Sequence, residues 1–253
     1  MSIQVALQLY SLRFLGDDDF PDMLKQVADA GFTAVEFARY GGMQVSDVKA
    51  VMDDLGLKTT GAHVAIDRFA NELETVIEEL QILEAEFAIV PWLAPEDRPT
   101  NRDAALSLAE SLNGYGAAVR AAGLRFGYHN HDFEGLKVDR DTTVLDLIID
   151  STDAALVDIQ LDVYWAQYGG IDPIPLMRRL AGRVPTIHVK DAEWPYTGIA
   201  PEGGIAVDYP AVLATAKEVG VEWAIVEQDK PDETDPVGFV TQKRKNLEAM
   251  LGA

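Results

Sequence analysis

The chain has 253 residues, 48% hydrophobic and 25% charged, a balance that can fill a sizeable core and excludes a disordered polymer. Asp and Glu outnumber Lys and Arg by 42 to 21, and the formal charge of −21 repels nucleic acid and anionic lipid surfaces while favouring cations. With no cysteine present, disulfides, thiolate metal sites and a cysteine nucleophile are excluded.

Short β-branched or apolar runs alternate with longer amphipathic runs along the whole sequence. The first strand, Ile3 to Leu9, follows the N-terminus directly, without a basic segment and a long apolar stretch ahead of it. No apolar run approaches membrane-spanning length, so a cytoplasmic address is expected. The strands predicted after it are Ala34 to Ala38, Lys58 to Val64, Phe87 to Trp92, Arg125 to His131, Ala155 to Asp162, Thr186 to Lys190 and Trp223 to Gln228. Each precedes a helical pattern. F-P-D-M-L-K-Q-V-A-D-A-G and A-V-L-A-T-A-K-E-V-G carry apolar residues at helical spacing and close on Gly31 and Gly220, where a left-handed cap costs least.

The helix-ending glycine followed by a strand recurs at A-D-A-G-F-T-A-V-E, D-D-L-G-L-K-T-T-G, R-A-A-G-L-R-F-G and K-E-V-G-V-E-W-A. Eight βα units with no Pro- or Ser-rich linker predict one domain over 1–253, a (β/α)8 TIM barrel. An open doubly wound sheet competes, but Q-L-Y-S-L-R stands where its Gly-rich phosphate turn is expected.

In such a barrel the active site is built at the C-terminal ends of the strands. The polar or aromatic residues expected there are Gln8, Glu36, His63, Trp92, His129, His131, Asp162, His188, Lys190 and Glu227, and they include all four histidines of the chain. A hard divalent ion needs imidazole and carboxylate donors from separate rigid elements, which His129, Asp162, His188 and Glu227 provide. The helix-borne H-E-x-x-H motif is absent, so the site has to be assembled in space. Taken singly, each histidine reads as a hydrogen-bonded rim residue and each carboxylate as a helix cap. Taken together, several titratable groups at one mouth are costly unless they are paired or bind a cation. Glu36 and His63 are expected at the substrate, with Trp92, Trp165 and Trp194 as pocket walls or packing residues.

The runs Q-L-Y-S-L-R (8 to 13), Y-H-N-H-D-F-E (128 to 134), L-D-V-Y-W-A (161 to 166), H-V-K-D (188 to 191), E-G-G-I-A-V-D-Y (202 to 209) and V-E-Q-D (226 to 229) resemble the xylose isomerase-like TIM barrels usually described as sugar phosphate isomerases/epimerases. The resemblance runs from the first strand to the last. It implies a divalent ion held by Glu, Asp, His and Glu from strands five to eight. Asp162, His188 and Glu227 match three of these positions, and His129 stands where ketose epimerases carry the first glutamate. Branches resembling inosose dehydratases and lyases of 3-keto-glycosides also place histidines there, and the choice between His129 and His131 as the strand-five ligand is open. The shared chemistry is a metal chelating a carbonyl and its neighbouring hydroxyl while a base takes the α-proton through an enediolate. Glu227 is the expected base, or base and ligand, with His131, Glu134 and Lys190 as candidates for acid catalysis or substrate orientation.

The leading expectation is an isomerase or epimerase of a sugar or keto-sugar. The alternatives are a lyase or dehydratase on a 3-keto-glycoside or inosose, and a non-catalytic sugar-binding barrel. Mn²⁺ or Co²⁺ is expected first, with Mg²⁺ and Zn²⁺ open, as is a homo-oligomer. The loop T-G-I-A-P-E-G-G-I contains Glu202 and no arginine, so a neutral sugar or cyclitol suits the acidic mouth better than a phosphorylated one. A DNA-repair nuclease on the same fold would need a basic groove and ranks last.

Overall fold

Eight parallel strands pair in sequence order, and the last returns to the first to close a barrel. The computed structural model describes residues 2–16, 19–190 and 205–252. Trp194, Asp191 and Glu202 lie outside the described residues.

The strands are β1 (Gln4–Gln8), β2 (Ala34–Phe37), β3 (Lys58–His63), β4 (Phe87–Val90), β5 (Arg125–His129), β6 (Asp158–Asp162), β7 (Thr186–Val189) and β8 (Trp223–Val226). Every predicted strand is present, shorter by one to three residues than its apolar run suggests. The helices are α1 (Phe20–Asp29), α2 (Val45–Leu55), α3 (Ile66–Asn71), α4 (Leu73–Ile82), α5 (Arg102–Ala121), α6 (Val144–Ser151), α7 (Val163–Tyr168), α8 (Pro173–Arg179), α9 (Tyr209–Val219) and α10 (Pro236–Gly252). The helical runs after β3 and β6 are each broken in two, which the simple count of one helix per unit misses. Between α7 and α8 the cause is local: Gly169, Gly170 at φ 82°, and then Asp172, whose carboxylate accepts from the Ile174 N–H ahead of Pro173. Among the described residues no helix is long and apolar enough to cross a membrane.

The four glycines that punctuate the repeat, Gly31, Gly56, Gly123 and Gly220, all have positive φ, between 67° and 87°. Two other glycines shape the interior. A Cβ on Gly61 would lie 2.6 Å from the Phe87 carbonyl oxygen, and one on Gly127 would lie 2.7 Å from the Ile89 side chain. These strand glycines therefore make room for Phe87 and Ile89, which with Ala6, Ala34, Trp223 and Ile225 fill the barrel. At the N-terminal end, Arg125 bonds Asp158 and Glu222, and Arg120 also reaches Asp158. The outer faces of the strands and the helices share a second apolar core.

Register brings polar residues to one level at the other end. Gln8 stands beside Glu36, His129 beside Gln160, and Asp162 beside His188. An irregularity between Val35 and Glu36 shifts the β2–β3 register there.

Candidate metal centre and active site

Four residues from consecutive strands meet at the C-terminal mouth: His129 and Asp162 end β5 and β6, His188 lies in β7, and Glu227 follows β8. All four are buried, and one potential ligand atom from each lies within 4.8 Å of the others. His129 Nε2 is 3.8 Å from Asp162 Oδ2. The Oδ1 of Asp162 accepts from the Trp165 N–H at 2.8 Å, capping α7, while its buried Oδ2 has no hydrogen-bond partner. A carboxylate oxygen with no hydrogen bond, met only by the Lys190 ammonium at 3.3 Å, a facing imidazole nitrogen and two further N and O donors fit a divalent cation of the Mn²⁺, Co²⁺ or Zn²⁺ kind.

The surroundings explain the charge states. Burial raises the pKa of Asp162 to about 6, against the pull of Lys190 and His188. Burial also disfavours ionised Glu227, but Lys190 and His188 outweigh it and hold this carboxyl well below the usual range. The Lys190 ammonium is 2.7 Å from Glu227, 2.9 Å from Asp229 and 3.3 Å from Asp162, and these carboxylates keep it charged despite its burial. Burial lowers the pKa of His188, yet Glu36 and Glu227, each at 2.8 Å from one of its nitrogens, raise it to about 10. His129 is driven the other way by burial and by the neighbouring imidazoles of His188, His131 and His63, and is neutral. Its Nδ1 is 3.0 Å from the Gln160 carbonyl, so Nδ1 carries the proton and the Nε2 lone pair is directed to Asp162.

Above these groups is a cavity of about 470 Å³ bordered by Tyr10, His63, Trp92, His129, His131, Glu227 and Asp229, among others. His131 lies in the loop after β5 and not in the strand as expected. Its ring stacks on Phe133 at 6.0 Å and tilts against Trp165, also at 6.0 Å. Burial, followed by the Lys190 charge, depresses its pKa to about 3, so it is a neutral imidazole whose buried Nδ1 has no protein partner. Trp92 is 46% exposed on the cavity wall, with the Arg98 guanidinium over its ring.

Several expected site residues take other positions. Gln8 and Glu36, expected at the substrate, are 0% and 1% exposed and bond each other beneath the mouth. Glu134 is fully buried: Tyr128 donates to it at 2.6 Å and the His131 N–H at 2.8 Å, so it holds the loop instead of facing the cavity. Burial raises its pKa to about 7 against those bonds. Trp165 packs behind His131 and leaves its buried indole N–H without a partner.

Three residues were missed in the sequence. Gln160 alternates with Asp162 along β6, and the period of two places both on one face of the strand. Asn130 extends the β5–β6 ladder with its side chain, accepting from the Asp162 N–H at 3.0 Å and donating to the Asp162 carbonyl at 3.2 Å. Asp229 lay unremarked in V-E-Q-D.

The sequence profile described as xylose isomerase-like TIM barrel matches residues 24–248. An inosose dehydratase of Geobacillus kaustophilus is 28% identical over 199 residues, covering 70% of this chain and 64% of that protein. The chain spans less than two thirds of the length of the curated relatives it matches first. Among solved structures, a sugar phosphate isomerase/epimerase of Parabacteroides distasonis superposes with a TM-score of 0.83 at 24% identity, covering 99% of this chain and 96% of that one. An IolI protein with a bound zinc atom gives 0.78 at 13% identity, covering 99% and 98%. At these identities the superpositions establish the fold.

Proposed function

The chain belongs to the xylose isomerase-like TIM barrel family, and from that premise we propose that it is a sugar-processing enzyme that removes a proton next to a carbonyl, acting on a keto-cyclitol or keto-sugar as a dehydratase or lyase. The observation that carries the reading is the composition of the cavity wall. Glu227, an ionised carboxylate just past β8, and Asp229 near it face two neutral imidazoles at and beyond the end of β5, His129 and His131, where a symmetric two-base epimerase would place its opposing carboxylate.

A divalent ion held by His129, Asp162, His188 and Glu227 would supply Lewis acidity at a carbonyl and its neighbouring hydroxyl. The chain's own groups account for the rest. Glu227 borders the cavity and is the proposed base for the α-proton. His131, which borders the same cavity, is the proposed hydrogen-bonding or proton-carrying contact to the group that leaves. Lys190 charge-compensates Glu227 and Asp162, and Trp92 gives the sugar ring an apolar face to lie on. Bases of unlike type suit elimination, in which one group accepts a proton and another assists departure. The inosose dehydratase relatives support the same outcome.

Isomerisation is the second reading, because one carboxylate bordering the cavity can carry a proton between adjacent carbons on one face of a sugar. Product analysis separates the readings. The purified protein with Mn²⁺ or Co²⁺ is given an inosose and a 3-keto-glycoside. Loss of water or release of aglycone is the expected result, interconversion without loss favours the isomerase, and no turnover on a broad sugar panel leaves a binding barrel.

A further inference from the structure

Glu36 accepts hydrogen bonds from three side chains, pairs with His63 Nε2 and does not border the cavity. Its Oε1 receives the Gln160 amide at 2.6 Å. Its Oε2 receives Gln8 at 2.8 Å and His188 Nε2 at 2.8 Å, and lies 3.0 Å from His63 Nε2, whose hydrogen bond is to the Gln160 carbonyl at 2.7 Å. Two of these three hydrogen bonds lead to the proposed ligands, one directly through His188 and one indirectly through Gln160, whose carbonyl accepts from His129 Nδ1 at 3.0 Å.

We propose that Glu36 is a positioning residue for the metal centre, fixing which nitrogen of both His129 and His188 is offered to the ion. The inference rests on the metal reading above. A carboxylate only accepts, so the Gln160 amide must turn its NH₂ toward Glu36 and its carbonyl toward His129. Reversing that amide would set two acceptor oxygens 2.6 Å apart and turn an NH₂ on the Nδ1–H of His129. His129 is thereby held with hydrogen on Nδ1 and its lone pair on Nε2, the nitrogen that faces Asp162. Glu36 fixes His188 directly in the complementary way: Nε2 is committed as a donor to it, leaving Nδ1 to the Glu227 side. One buried anion thus engages the Nε2–H of His188 directly and the Nδ1–H of His129 through Gln160, so that an ion displacing the second proton of His188 would meet the two imidazoles through opposite nitrogens, as carboxylates behind metal-bound histidines do. The register shift between Val35 and Glu36 lies at the residue that must be aimed inward.

The test compares the full-length Glu36→Gln and Asp162→Ala proteins with wild type. Metal affinity is read by titrating Mn²⁺ or Zn²⁺ against a competing chelator, and histidine tautomers by ¹⁵N NMR, in the metal-free state for His129 and the zinc-loaded state for His188. Glu36→Gln is expected to weaken the ion by about 10- to 100-fold and to convert part of the His129 population to the Nε2–H form, with the circular dichroism unchanged. Wild-type affinity and tautomers in Glu36→Gln, while Asp162→Ala loses the ion, overturn the role of Glu36 and leave the metal reading standing. A wild-type protein that binds no ion overturns both. If Glu36→Gln does not fold, Gln160→Leu tests the same relay through His129, and wild-type affinity together with an unchanged His129 tautomer in that variant overturns the proposal.

Discussion

Replacing Glu134 by Gln tests the charge accounting at the mouth, because Glu134 is fully buried with a folded-state pKa near 7 against an ordinary value of 4.5. Between those two values the native protein holds a proton that the unfolded chain releases, so the wild type loses stability as the pH rises through that window. The gap of about 2.5 corresponds to about 3 kcal/mol, developed progressively from pH 4.5 and complete somewhat above pH 7. The glutamine keeps an oxygen for the His131 N–H and offers its NH₂ to the Tyr128 oxygen, so the loop bonds survive while the titration disappears. Urea denaturation of both proteins from pH 4.5 to 8.5 is therefore expected to show the variant gaining on the wild type by about 3 kcal/mol across the series. The ¹³C resonance of the Glu134 carboxyl should titrate near 7 in the folded wild type. A stability difference flat in pH, or a carboxyl titrating at its ordinary value, would refute the reasoning.

Three further outcomes are expected. Asp162→Ala, which removes the Oδ2 that has no hydrogen bond, should abolish stoichiometric metal binding measured by elemental analysis and lower turnover about a thousandfold, given the several kcal/mol a Lewis acid supplies. Glu227→Gln should lower kcat by about 10²- to 10⁴-fold with a smaller effect on KM, as removal of a base does, and steady-state kinetics would show it. Gly135→Ala would bring a Cβ to 2.1 Å from the Gly169 carbonyl oxygen, forcing the loop after β5 away from the end of α7; a loss of about 1–3 kcal/mol in thermal unfolding and a disturbed His131–Trp165 contact, seen in tryptophan fluorescence, should follow.

The barrel was legible because its signals are local and repeated: β-branched runs, amphipathic runs, and glycines such as Gly31 and Gly220 that take the left-handed conformation their positions imply. The candidate cluster of donors was legible because each lies at or next to the end of a strand, and strand ends of a parallel barrel share one face. Depth within the mouth was not legible. Glu36 stands one residue before the end of β2, close to where Asp162 stands in β6, yet it lies beneath the cavity, where it meets Gln8 and Gln160 and is 1% exposed. Glu134 and His131 are adjacent to the same loop, and only the folding back of that loop onto Tyr128 decides which of them faces the cavity. Gln160 carries no charge to draw notice, although its spacing from Asp162 marks it.

The proposed ligands all come from β5 to β8, whereas much of what steadies them comes from the first quarter of the chain. Glu36 and Gln8 lie under the imidazoles, Ser11 accepts from the Gln228 N–H, and the Arg13 guanidinium donates to the carbonyls of Gln228 and Asp229 just past Glu227. The two halves of the ring are thus unequal: one carries the reagents and the other the jig that holds them. A separated C-terminal half would contain every proposed donor atom and still lack the template that orients them. The proposed site is complete only where β8 pairs with β1, so the contact that closes the ring is also the one that completes the site.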